Sequence, residues 1–237
     1  MFEKIDQFIT WFDDVVWGLP LIVLILLTGL LLTSRLGLLQ IRHLGKALKF
    51  MFKNEEDGEG EVTSFGALCT ALSATIGTGN IVGVATAIAA GGPGALFWMV
   101  LTAFLGMATK YAEGLLAIKY RTIDSEGHVL GGPFYYIENG MGKNWRWLAK
   151  IFAFFGAGVG LFGIGTFSQV NGITSAVRNF FDPNTMYAVT LFGRTYSWAT
   201  VISCLVLTLC VGLVVIGGLK RIAKVSQVVV PFMAGLY

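Results

Sequence analysis

Five stretches of the chain, 17–38, 64–90, 94–118, 149–178 and 197–219, are each apolar over the roughly 20 residues a helix needs to cross a bilayer. A sixth begins near 222. In hydrocarbon the backbone has no water to bond to, so a stretch of this kind must pair its own N–H and C=O groups, and a helix does so within one segment. Composition agrees: 55% of residues are hydrophobic and 13% charged, against about 25% charged in an ordinary soluble domain. The fold class is therefore an all-α membrane protein, a polytopic helical bundle.

One of these stretches contradicts its own helix. The run Ser73-Ala74-Thr75-Ile76-Gly77-Thr78-Gly79-Asn80 sets two glycines and an amide in the middle of span 64–90. Backbone groups released at such depth need a partner, as in the discontinuous helices of transporters. Freed carbonyls ending the first half-helix suit a hard cation such as Na⁺, and freed N–H groups opening the second half suit a carboxylate. The span holds no Asp, Glu, Lys, Arg or His. That disfavours a proton relay and leaves carbonyls, hydroxyls and the Asn80 amide to hold a cation. A plain packing kink is the alternative reading of the Gly-x-Gly pair. A dinucleotide fingerprint is excluded, because Gly83 falls one residue too late and no strand–turn–helix frame surrounds it.

Charge sets the expected orientation. Numbering the loops alternately, fourteen of the seventeen basic residues fall on the side of 35–61, 119–148 and 220–224; only Lys4, Arg178 and Arg194 fall on the other. The positive-inside rule makes the first side cytoplasmic and puts the N-terminus outside, in a multi-pass protein of the plasma (inner) membrane. Because the basic residues flank spans, nucleic-acid binding is set aside. Acidic Glu3, Asp6, Asp13 and Asp14 exclude a removable signal peptide, so the first helix is retained.

Residues 35–53 read as a basic amphipathic helix, with Arg35, Arg42, Lys46, Lys49 and Lys53 within about 40° of one line at 100° per residue. Such a helix suits an anionic cytoplasmic leaflet. An acidic turn follows from Asn54 to Gly60. Lys110 and Glu113 are expected to form a structural ion pair near the cytoplasmic end of span 94–118. Gly131 to Tyr136 reads as a short interfacial segment, with Trp145 and Trp147 at the headgroups. Gly156 and Gly160 form a GxxxG pair in a glycine ladder that suggests close packing. Beyond it Ser168, Gln169, Asn171, Thr174 and Ser175 either join helices or face a solute path. Cys69, Cys204 and Cys210 show no metal-site or disulfide spacing, and no HExxH or Gly-x-Ser-x-Gly motif suggests an enzyme. From Val225 to Tyr237 the apolar run gives about 20 Å of helix, short of the roughly 30 Å core, so the chain is expected to be a piece of a longer protein.

The sequence resembles the alanine or glycine:cation symporter family. The resemblance rests on Ser73 to Gly83, on Gly91-Gly92-Pro93-Gly94-Ala95-Leu96-Phe97-Trp98-Met99-Val100 with Leu101 to Gly106, on Gly131-Gly132-Pro133 with Tyr135-Tyr136, and on Gly217 to Ala223. Val100 stands where the family pattern usually has Trp. The resemblance implies a leucine-transporter-like fold of two inverted five-helix repeats with one helix in front. On it, 1–61 supplies the first helix and the amphipathic segment, and 62–237 an incomplete first repeat. The implied activity is Na⁺-coupled symport of alanine or glycine into the cell; the alternative is an inert or scaffold-like fragment lacking half of the site. Carried over residue by residue, Thr78 and Gly79 meet the substrate carboxylate, Asn80 serves both substrate and cation, and Gln169 reaches the substrate. Ser73, Thr75 and Ile76 contribute carbonyls near Na⁺.

Overall fold

The computed structural model describes residues 2–53, 62–163, 165–186, 188–191 and 193–236. Among them, Glu3–Arg35 (two successive helices), Gly94–Lys119, Lys143–Phe181 (two helices either side of residue 164) and Trp198–Val215 are long and apolar enough to cross a membrane. Ser64–Thr75 with Thr78–Gly91 makes a fifth, bent by 71°. The chain is an all-α polytopic membrane protein. Among the described residues the buried apolar ones are small (Cys69, Ala108, Ala149, Ala223 and Val230), while many long aliphatic and aromatic side chains are exposed. That pattern suits a solvent of lipid tails, in which close backbone approach rather than burial of large side chains drives packing. Contacts group into two units interleaved in sequence, Met1–Leu48 with Ala90–Lys150 and Lys49–Ala89 with Ile151–Tyr237.

In the first unit α1 (Phe2–Val16) leads into α2 (Leu19–Arg35), which carries Pro20 in its first turn, where a missing N–H costs nothing. The sequence reading began its first helix at 17 and gave 1–16 no element. Helix α1 forms because Ile5, Phe8, Ile9, Phe12 and Val16 recur at helical spacing opposite Glu3, Gln7, Thr10 and Asp14. Helix α2 packs along α7 (Gly94–Lys119). Gly29 permits their approach, since a Cβ there would stand 2.9 Å from the Leu105 Cβ.

The single basic helix expected over 35–53 is broken. Arg35 ends α2, Gly37 (φ 63°) and Leu38 (φ 57°) turn left-handed, and α3 (Leu39–Arg42) and α4 (Leu44–Phe52) flank His43. A left-handed Leu costs about 1–2 kcal/mol. The turn is held by Gln40, whose Nε2 donates to Thr33 Oγ1 at 2.9 Å and to the Phe104 carbonyl at 3.3 Å. The acidic turn 54–60 lies outside the described residues.

After α7 the chain forms a hairpin, β1 (Thr122–Ile123) and β2 (Val129–Leu130). The Asp124 carboxylate accepts the N–H groups of His128 (2.8 Å) and Glu126 (2.9 Å). These bonds, His128's first, hold it below the usual carboxylate range. Helix α8 (Pro133–Met141) starts after Gly132, at φ 114°, where the interfacial segment was expected. Lys110 and Glu113 pair at 3.0 Å, as the sequence anticipated.

In the second unit the expected single span 149–178 is two helices, α9 (Arg146–Phe162) and α10 (Thr166–Phe181), because Gly163 (φ 61°) and Gly165 (φ 89°) end one and start the other. Gly156, Gly158 and Gly160 have open space where a Cβ would stand, so among the described residues the ladder is no packing seam. Helix α10 packs on α11 (Trp198–Val215), and between them runs a second hairpin, β3 (Ala188–Leu191) and β4 (Arg194–Ser197). Buried Asp182 anchors it, accepting from Met186 N–H (2.7 Å) and Ser197 Oγ–H (2.6 Å). The sequence reading gave neither hairpin. Both are short inserts in the connections, with no run of alternating residues to mark them.

The most extensive contact of this unit joins α5 (Ser64–Thr75) to α12 (Gly218–Leu236). Small residues line the seam: Gly66 and Cys69 on α5, Ala223 and Val230 on α12. Two polar contacts close it. Gln227 Nε2 donates to Thr63 Oγ1 at 3.2 Å, the same oxygen that caps Gly66 N–H at 3.1 Å, and Ser226 Oγ donates to Ser73 Oγ at 3.2 Å.

Candidate functional site at the helix break

The chain leaves helical geometry at Ile76, which is extended (φ −82°, ψ 120°), passes through Gly77, makes one 3₁₀ turn over Thr78–Asn80, and resumes as α6 (Val82–Gly91). Ile76 N–H still reaches the Leu72 carbonyl at 2.8 Å. Beyond it, among the described residues, no N–H bonds to the carbonyls of Ser73, Ala74, Thr75 or Ile76. On the other side, Asn80 N–H bonds to the Gly77 carbonyl (3.0 Å) and Ile81 N–H to that of Thr78 (3.1 Å). The N–H groups of Gly79, Val82, Gly83 and Val84 have no partner among the described residues. The break thus sets a carbonyl-rich helix end beside an N–H-rich helix start. Their partial charges of opposite sign suit a cation and an anionic group respectively.

Helix α10 supplies the third wall. Its Gln169 Oε1 accepts Thr78 N–H at 2.7 Å, a bond spanning 91 positions of sequence. The Gln169 amide lies where a side chain at Gly77 would have to go. One turn along α10, Thr78 Cγ2 stands 2.7 Å from where a Gly172 Cβ would be. A side chain at 77 would have to displace the Gln169 amide and one at 172 the Thr78 methyl, so both positions are constrained by close approach, not by an unusual φ.

A cavity of about 420 Å³ opens between the two helices, lined by Ser73, Ala74, Ile76, Gly165, Thr166 and Gln169. It brings together three of the sequence-predicted positions, Ser73, Ile76 and Gln169, and Thr78 adjoins it through the bond to Gln169. Thr75, Gly79 and Asn80 are not in its lining. The Thr75 hydroxyl donates to the Ala71 carbonyl at 2.8 Å, and Gly79 and Asn80 are exposed. The Ser73 hydroxyl donates to the Thr70 carbonyl at 2.7 Å, which leaves its oxygen to accept from Ser226. The Gln169 carbonyl oxygen holds the N–H that the sequence reading gave to a substrate carboxylate. Its amide N–H groups remain as donors on the same side chain.

Sequence reasoning passed over Gly165, Thr166, Gly172 and Ser226. Gly165 ends the glycine ladder that starts at Gly156, which the sequence reading took for close packing, although a glycine of positive φ also marks a helix end. Ser226 and Gln227 are adjacent neutral polar residues in an apolar run, a signal that would have drawn attention to α12. No group of His, Cys, Asp and Glu suited to a metal occurs among the described residues, so a cation here would be held by neutral oxygens. Neutral oxygens suit a hard cation rather than a transition metal.

Residues 2–237 match the sodium:alanine symporter family. An uncharacterized transporter of Haemophilus influenzae is 55% identical over 98% of this chain and 47% of its own length. The sodium/alanine symporter AgcS of Methanococcus maripaludis is 47% identical over 95% of this chain and 47% of its own length. A Bacillus subtilis protein named "Probable sodium/glutamine symporter GlnT" is 37% identical over 95% of this chain and 43% of its own length. The chain spans about half the length of the curated relatives it matches.

Proposed function

Because the chain belongs to the sodium:alanine symporter family, we propose that the complete protein couples Na⁺ entry to uptake of a small neutral amino acid, alanine or glycine. The observation that carries this reading is the break itself: among the described residues, carbonyls of Ser73–Ile76 have no partner on one side, and N–H groups of Gly79 and Val82–Val84 have none on the other. A cation on the carbonyl side beside a solute carboxylate on the N–H side would satisfy both sides of the break without a charged side chain, and span 64–90 has no Asp, Glu, Lys, Arg or His. Titratable chemistry is absent where a proton would have to ride, which favours Na⁺ as the coupling ion.

In this reading the carbonyls of Ser73, Thr75 and Ile76, with Asn80, hold Na⁺. Thr78, Gly79, Asn80 and the Gln169 amide hold the solute. Glycines at 77 and 172 let the break and helix α10 approach closely, which favours a small solute. The solutes in the relatives' names differ, alanine for AgcS and glutamine for GlnT. The fourteen-to-three charge bias supports an N-terminus outside. Lys46 and Lys49 of α4, opposite Leu44 and Leu48, lie against the anionic cytoplasmic leaflet.

Uptake of labelled alanine into proteoliposomes holding the complete protein tests the reading. An inward Na⁺ gradient is expected to drive accumulation and an equal K⁺ gradient to fail. Uptake indifferent to the imposed Na⁺ gradient would sink the symport reading.

A further inference from the structure

Two glycines in this unit are each filled by a side chain of the opposite element. The Gln169 amide occupies the space at Gly77, and the Thr78 methyl occupies the space at Gly172, 2.7 Å from the position of a Cβ, with the Thr78 Cβ itself at 3.3 Å. Gln169 and Gly172 are three apart on α10, so they share one face, and Gly77 and Thr78 are consecutive in the break. The contact is reciprocal: a knob from each side enters a hole on the other, and the Thr78 N–H···Oε1 bond of 2.7 Å lies between the two.

We propose that Gly172 is a positioning residue that sets the unwound backbone of the first half-helix through this double interlock. Helix α10 then fixes where Thr78 N–H points, and with it the adjoining N–H groups offered to a solute carboxylate. Unwound backbone has no ladder of its own to hold its shape, and a hydrogen bond to one long, flexible side chain leaves it free to rotate about that bond. A second, steric contact one helical turn away removes the freedom. The hole at 172 is shaped to a β-branched residue: the Cγ2 fills it, while the Thr78 oxygen is 3.6 Å from the Cβ position. A methyl group added at 172 collides with Cγ2, and replacing Thr78 by Ser removes that methyl and relieves the collision.

The proposal rests on the transport reading only for its solute-affinity arm. In the complete protein, Gly172→Ala is expected to raise the half-saturating alanine concentration by about tenfold, the size of one lost hydrogen bond, with maximal rate per inserted protein changed less. In a Thr78→Ser background the same Gly172→Ala is expected to cost less than about threefold, because contacting residues are coupled. A residue that merely supports the bundle would lower the amount of inserted protein and leave the half-saturating concentration alone. Equal costs in the two backgrounds, or an unchanged half-saturating concentration, overturn the proposal. Hydrogen exchange of the 77–80 segment reads the interlock without any solute. Gly172→Ala is expected to speed exchange, and Thr78→Ser to abolish that increment; exchange unaltered by Gly172→Ala overturns the proposal too. If the wild-type protein takes up neither alanine nor glycine, the transport reading fails and the exchange measurement alone decides. If Gly172→Ala does not accumulate in the membrane, its accumulation in the Thr78→Ser background supports the interlock, and failure in both overturns it.

Discussion

Glycine brings two helices together at Gly29 and again at Gly77 and Gly172, but what fills the space differs. At Gly29 the neighbour is Leu105, its Cβ and carbonyl oxygen 2.9 and 3.2 Å from where a Cβ would be. Helices α2 and α7 continue unbroken past it. At Gly77 the neighbour is the Gln169 amide, and the helix around it has come apart. The first contact exchanges hydrocarbon for hydrocarbon and leaves every backbone group in its ladder. The second sets hydrogen-bonding groups against a backbone that has lost its ladder, and only there can a solute compete for partners. Close approach alone therefore does not mark a site in a membrane protein. Close approach together with released N–H and C=O groups does.

Substitutions can separate the two kinds of contact. The largest effect is expected at Gly79, where a Cβ would point into space no other atom fills. Gly79→Leu should abolish alanine binding while membrane insertion, followed by fluorescence of a fused reporter, stays normal; retained affinity would mean that the break is a packing kink. Next comes Gly29→Ala, an overpacking change expected to cost about 1–3 kcal/mol of stability. In a thermal melt of the detergent-purified protein the midpoint should fall, with alanine and Na⁺ affinities of the folded fraction unchanged. A shift in either affinity would erase the distinction between the seams. Ser226→Ala removes a hydrogen bond to Ser73 worth about 1 kcal/mol. Its melt should move less than that of Gly29→Ala. The smallest effect is expected at Gly156 in α9, where the surroundings are open. Gly156→Ala should leave binding untouched and stabilise the helix by up to about 1 kcal/mol.

Much of the fold was legible because hydrocarbon dictates it. The breaks at Gly77–Asn80 and at Gly91–Pro93 were readable from residues alone, since glycine and proline punctuate an otherwise continuous apolar run. The break between α9 and α10 was not, for Gly163 and Gly165 sit in a series with Gly156, Gly158 and Gly160, and composition does not say which of them turns left-handed. Residues 35–53 failed for a related reason. Periodicity found the basic stripe but not the left-handed pair at Gly37 and Leu38, which is stabilised by a bond from Gln40 to Phe104, 64 positions away. The candidate site divides the same way. Local sequence pointed to Ser73–Asn80, because the signal is an interruption within one segment. The role of Gly172 and the contact from Ser226 depend on which helices meet, and no local pattern carries that.

The most direct test of the account is equilibrium binding of alanine to the purified complete protein as Na⁺ is titrated against K⁺ at constant ionic strength, in the wild type and in Gly77→Ala. A methyl at position 77 must displace the Gln169 amide from Thr78 N–H. The account predicts that wild-type affinity rises with Na⁺, and that Gly77→Ala loses both the affinity and its dependence on Na⁺. Alanine binding equally tight in K⁺, or a Gly77→Ala protein with the wild-type Na⁺ response, would contradict it.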